Sequence, residues 1–181
     1  MIADAARRVG GDHVEVQALM GPGVDPHSYR QTRTDIVAMG RADLVLFHGL
    51  YLEAQMEELL HDLRDRGRAV AVGEALPADL LLAHDDYADR KDPHVWMVPE
   101  LWTHAVTAVR DALSAARPEA AADFAANAAA HVGELAALGG YAREVLASVP
   151  EGSRVLVTAH DAFNYFGDAY GFEVLGIQGI S

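Results

Sequence analysis

The chain has 181 residues, enough for one ordinary domain or for one lobe and part of another. Hydrophobic residues make up 51% and charged residues 23%, so a packed core is expected and disorder is not. With 14 basic against 27 acidic residues the net charge is −13, which argues against nucleic acid and against an anionic bilayer and suits a protein that meets cations. Cysteine is absent, so disulfides, thiolate metal sites and Cys nucleophiles are excluded. No apolar run approaches 18 residues, and Met1 leads into the amphipathic stretch Ile2–Arg8 without a signal-type apolar region.

Ile2–Val9 reads as a short helix stopped by Gly10-Gly11. Val14–Leu19 alternates and predicts a strand, broken at Gly21-Pro22-Gly23 into a loop that carries Asp25-Pro26-His27. Thr34 is a candidate N-cap for a helix from Asp35 to Gly40. Asp43–His48 is a mostly apolar run of the kind found in buried parallel strands. Leu52–Arg66 is helical, with Met56, Leu59, Leu60 and Leu63 on one face, and Ala69–Val72 is another buried strand. This alternation predicts βαβ units on a parallel sheet.

Leu76–Asp92 is irregular and reads as a surface loop that delivers a second Asp-Pro-His, Asp92-Pro93-His94. Pro99 opens a helix that ends before Pro118. From Pro118 to Val149 apolar residues recur at spacings of four and three: Phe124, Ala128, His131, Leu135, Leu138, Ala142, Val145 and Val149. Such a helix is roughly 48 Å long, more than a βαβ crossover needs, and is expected to link two lobes. Gly139-Gly140 weakens it locally. After Pro150 the rhythm restarts with a strand Val155–Thr158, His160 at its end, a helix Ala162–Tyr170 closed by Gly171, and a strand from Phe172 to Ile177. The division is thus an N-terminal α/β lobe at 1–117, a linking helix at 118–149, and the start of a second α/β lobe at 150–181. Two strands do not finish a lobe, so the chain reads as a piece of something longer.

The chemistry lies in the nine histidines. His13, His61, His104 and His131 fall on helices or turn edges and read as exposed or packing residues. His48 reads as a hydrogen-bonded structural imidazole at a strand end. His84, beside Asp85 and Asp86, reads as part of a solvated loop. His27 and His94 differ, because each closes an Asp-Pro-His triplet; 16 Asp, 7 Pro and 9 His placed at random predict far fewer than one such triplet. Proline fixes its own φ and restricts the residue before it, so the imidazole is presented from a stiff loop. The Asp can accept nearby backbone N–H groups and fix the turn. The plain alternative is a pair of Asx-Pro turns whose imidazoles face water. His160 adds a third imidazole at a strand end, where open α/β sheets bind ligands, although it could equally cap the next helix. Three neutral imidazoles suit Zn²⁺, and less strongly Mn²⁺ or Co²⁺; an all-oxygen Ca²⁺ or Mg²⁺ cage is disfavoured. Binding is expected to weaken below about pH 6, since imidazole must be neutral to ligate.

These motifs resemble those of the metal-binding receptors of zinc and manganese ABC importers, the solute-binding proteins that include the TroA type. The likeness is carried by residues 21–29, Ala42-Asp43-Leu44-Val45, Gly49-Leu50-Tyr51-Leu52-Glu53, Asp92–Trp96, 158–166, 170–174 and 176–179. It implies two Rossmann-like lobes with parallel sheets joined by one long rigid helix, with a metal held between them by His27, His94 and His160. It also implies an extracytoplasmic receptor, periplasmic or lipid-anchored, expected to be a monomer, that captures zinc first and manganese second and serves an ABC permease. The leader and a fourth, Asp ligand of this family are expected outside residues 1–181, which leaves the second lobe incomplete.

Two other readings compete. A three-His site with an open position is also the arrangement of catalytic zinc in hydrolases, but no His-Glu-x-x-His helix or Gly-x-Ser-x-Gly elbow supplies the rest of such a site. Some receptors of this kind were described as surface adhesins, and no feature of the sequence carries that role.

Overall fold

The structure, a computed structural model, describes residues 1–84 and 89–178, except for the side chain of Gln178. Asp85, Asp86 and the fourth-ligand expectation lie outside the described residues. Among the described residues, six α-helices and four strands occur in the order α1 (Ile2–Gly10), α2 (Arg33–Arg41), β1 (Val45–Phe47), α3 (Glu57–Asp65), β2 (Ala69–Ala71), α4 (Pro99–Ala116), α5 (Ala121–Ala147), β3 (Val155–His160), α6 (Asn164–Tyr170) and β4 (Glu173–Gln178). Strands β1 and β2 pair in parallel, Val45 opposite Ala69 and Phe47 opposite Ala71. Strands β3 and β4 form a second parallel pair, Val155 opposite Glu173 and His160 opposite Gln178. Each pair is closed by a helix, so β1–α3–β2 and β3–α6–β4 are the two βαβ units that the sequence rhythm predicts.

Three expectations are corrected. Val14–Leu19 is not part of a sheet among the described residues: its backbone finds no ladder partner, and Val14 and Val16 instead pack their side chains against the main core. The α2 cap is Thr32, not Thr34. Its Oγ1 accepts the Asp35 N–H at 3.2 Å while the Asp35 carboxylate accepts the Thr32 N–H at 2.7 Å, a reciprocal box that settles two backbone donors at once. The segment 52–66 starts as a tight turn, with a 3₁₀ stretch at Ala54–Met56 before the α-helix takes over.

The main core joins α1, α4 and the first half of α5, around Val9, Val72, Val95, Val106, Val109 and Phe124. Phe124 is fully buried, a contribution of about 1.5–3 kcal/mol from one side chain. A second cluster, including Met39, Phe47, Met56, Leu60 and Leu63, closes α3 onto β1 and β2. The long helix differs from its sequence pattern in extent. Pro118–Ala120 is 3₁₀, and the 27 α-helical residues from Ala121 span about 40 Å. Its apolar stripe is buried at Phe124, Ala128 and His131, but Leu138 and Val145 further along are exposed. Gly139 is not a loose point: the carboxylate of Glu100 on α4 occupies the space where its Cβ would sit, and Glu100 pairs with Arg143 at 2.6 Å.

Candidate metal centre

Each Asp-Pro-His builds its mount locally. The Asp25 carboxylate accepts the backbone N–H of His27 at 3.0 Å through one oxygen and the Ser28 hydroxyl at 2.7 Å through the other. Asp92 Oδ1 accepts the backbone N–H of His94 at 2.9 Å. Both triplets therefore form the same Asx turn, with the proline between acceptor and donor keeping the loop stiff. His160 arrives from the opposite part of the chain as the last residue of β3.

The three sequence-predicted imidazoles meet. His27 Nε2 lies 3.3 Å from His94 Nε2, and His160 Nε2 lies 3.2 Å from the same atom. One nitrogen from each ring falls within 4.8 Å of the others. His27 and His94 are buried and His160 is half-buried. His160 does not cap the following helix, whose N-cap position is Phe163.

Asp92 was not singled out by its sequence as more than a turn residue, yet it does more. Its Oδ1 also meets His94 Nδ1 at 2.7 Å. A carboxylate only accepts, so Nδ1 carries the proton and Nε2 turns its lone pair towards the other two rings. The edge of the Trp96 ring braces His94 from the side, with centroids 5.2 Å apart. A tetrahedral ion bonded at about 2.0–2.1 Å separates its nitrogens by about 3.3–3.4 Å, close to the two spacings found. The cluster can therefore take one divalent cation with little movement, using three neutral donors that suit zinc or manganese more than calcium.

The electrostatics favour neutral rings at His27 and His160. Burial, then repulsion from a cationic His94, pushes His27 down from the ordinary imidazole value to about 4. Burial, then His94, also lowers His160. Burial pushes the Asp25 carboxyl up, but hydrogen bonds from Ser28 and the His27 amide outweigh it and hold the group below its ordinary range. His27 thus resists protonation well below pH 6, where an ordinary imidazole would already compete with a metal.

Other histidines depart from expectation. His84 is buried rather than solvated, 8% exposed. His48 is fully buried, and neither ring nitrogen makes a well-formed hydrogen bond, the Pro93 carbonyl offering only a weak one. It packs parallel to Trp102 with centroids 6.1 Å apart and against the edge of Trp96 at 5.3 Å, and it fits because residue 73 is glycine, where a Cβ would come within 2.6 Å of Nε2. His48 follows a strand end, and the next three residues, Gly49, Leu50 and Tyr51, all have left-handed backbone. Buried Glu53 holds this strained run by accepting the N–H groups of His48 and Gly49 at 2.7 and 3.1 Å.

The sequence pattern of the family described as ZnuA, "Zinc-uptake complex component A periplasmic", matches residues 1–181. The chain is 46% identical to the manganese-binding lipoprotein MntA of Bacillus subtilis, over 99% of this chain and 58% of that protein. It is 44% identical to the zinc-binding protein TroA of Treponema pallidum, over 100% of this chain and 58% of that protein. The solved structure of that periplasmic protein superposes with a TM-score of 0.95, covering 100% of this chain and 65% of its own. Iron(III)-bound YtgA of Chlamydia trachomatis, 30% identical, superposes with a TM-score of 0.87 over 99% of this chain and 67% of its own. The chain therefore spans about 58% of the length of these two curated relatives. Sequence pattern and backbone agree along its whole length: the chain belongs to the ZnuA family of metal-binding solute-binding proteins.

Proposed function

We propose that this chain is the metal-capturing part of an extracytoplasmic receptor, which takes one divalent transition metal at His27, His94 and His160 and hands it to an ABC-type membrane importer. The observation that carries this reading is the convergence of two Nε2 atoms on a third at 3.2 and 3.3 Å, the third being aimed by a buried carboxylate. Residues 1–117 form one lobe, 118–149 the linking helix and 150–181 the start of the other, so the metal sits where the lobes meet. Zinc is the first choice and manganese the second: three imidazoles favour the softer ion, while relatives of nearly equal identity are named for manganese and for zinc. The receptor works as a monomer, and its cargo is bound and released, not transformed. The hydrolase and adhesin readings are set aside, because the three-nitrogen cluster itself is what the receptor reading explains.

Elemental analysis of protein purified without chelator should find about one equivalent of zinc or manganese. The His27→Ala, His94→Ala double variant should lose it. Metal content unchanged in that variant would remove the proposal.

A further inference from the structure

The orientation of His94 is set partly by residues that lie far along the chain and do not ligate. Asp92, 2% exposed, is bonded in three directions. Its Oδ1 holds the His94 amide and ring, its Oδ2 faces Asn164 Nδ2 at 3.4 Å, and its backbone carbonyl accepts the Tyr165 hydroxyl at 2.8 Å. The same hydroxyl accepts the Leu82 N–H at 3.1 Å. Leu82 and Asp92 are also joined directly, Asp92 N–H to Leu82 O at 3.1 Å. One buried phenol thus clasps two backbone segments to helix α6. Burial, ahead of its other contacts, raises the Tyr165 hydroxyl to about 12, so it keeps its proton and remains a donor.

Helix α6 begins at Asn164, just after His160. The unit that brings one candidate ligand to the site therefore also holds the carboxylate that aims another. A phenylalanine at 165 would fill the same core volume, so the hydroxyl adds nothing to apolar packing; what it adds is a fixed position for Asp92.

We propose that Tyr165 is a positioning residue for the metal site: it fixes Asp92, and through Asp92 the His94 ring, so that seating of α6 and assembly of the three-nitrogen cluster occur together. This rests on the metal-receptor reading. The route is Tyr165 hydroxyl to Asp92 carbonyl, Asp92 carboxylate to His94 Nδ1–H, and His94 Nε2 to the ion. A slack Asp92 leaves His94 free to rotate or change tautomer, which scatters the lone pair that the ion needs.

The test measures zinc affinity by competition with a chelator in wild type, Tyr165→Phe, Asp92→Asn, the double variant and His94→Ala, with thermal midpoints recorded for each. Tyr165→Phe should bind zinc roughly tenfold more weakly, the lower end for groups that hold a ligating imidazole, mainly through faster release. In the Asp92→Asn background it should add almost nothing, because the two act along one route. Nitrogen NMR of the metal-free protein should find His94 as a single Nδ1–H tautomer in wild type and as a mixture in Tyr165→Phe. A Tyr165→Phe variant with a lowered midpoint but wild-type zinc affinity would overturn the proposal, as would full additivity with Asp92→Asn. His94→Ala separates the two levels. If it abolishes binding while Tyr165→Phe binds normally, only this inference fails; if it binds zinc like wild type, the receptor reading fails and this inference with it.

Discussion

His48 makes the stability of the metal-free protein depend on pH in a way that can be worked out beforehand. It is fully buried between Trp96 and Trp102, and burial, only partly opposed by the Pro93 carbonyl, pushes it down from the ordinary 6.5 to about 4. The folded value lies below the unfolded one, so the unfolded chain binds a proton that the native protein refuses. The contribution is therefore fully present above pH 6.5, is lost as pH falls from 6.5 to 4, and changes no further below that. From these two values the loss attributable to His48 is about 2 kcal/mol at pH 5 and about 3 kcal/mol at pH 4. Urea unfolding at pH 7.5 and pH 5, with chelator present so that metal plays no part, measures it in wild type and His48→Leu. Whatever the substitution does at pH 7.5, its loss on going to pH 5 should be about 2 kcal/mol smaller than that of wild type, nearly 1 M in midpoint for an m of about 2–3 kcal/mol/M. Equal losses would refute the reasoning, since His48 would then be taking up its proton in the native state as readily as in the unfolded one.

Three further outcomes follow from the same geometry. Gly140→Ala, exposed and with nothing in the way of a Cβ, should stabilise α5 by about 1 kcal/mol, whereas Gly139→Ala should gain less because it displaces Glu100 from Arg143; equal gains in urea unfolding would contradict the packing described. Zinc affinity, followed by chelator competition, should fall less steeply between pH 6.5 and 5 than three ordinary imidazoles would give, because His27 and His160 are both held below the ordinary value; loss of three protons' worth of affinity per pH unit across that window would contradict it. Scattering curves with and without zinc should nearly coincide, because α5 is one continuous helix across Gly139-Gly140, and a closure of many degrees would show a hinge there instead.

What was legible in the sequence was local. Proline and glycine mark the ends of α4 and α6, where Pro99 opens one helix and Gly171 closes the other in the left-handed region. The paired Asp-Pro-His was readable because each turn is closed within three residues by its own carboxylate. What depended on partners far away was not. Val14–Leu19 alternates like a strand, but alternation cannot supply a ladder partner, and among the described residues the segment packs without one. His84 sits in a polar run yet is buried, and the apolar rhythm of α5 continues past the point where other elements cover it. The bond from Tyr165 to Asp92 spans 73 positions and leaves no local trace. The polar reach of Asp92 to the His94 ring could have been suspected from the i, i+2 spacing alone, since the same carboxylate that fixes the turn lies beside the imidazole.

The most direct test of the account is X-ray absorption at the zinc edge of the loaded protein, in wild type and in His27→Ala, His94→Ala and His160→Ala. Wild type should show three imidazole nitrogens at about 2.0–2.1 Å, and each variant that still retains zinc should lose one imidazole from the signal. A wild-type spectrum of oxygen ligands without imidazole scattering, or spectra unchanged by all three substitutions, would contradict it.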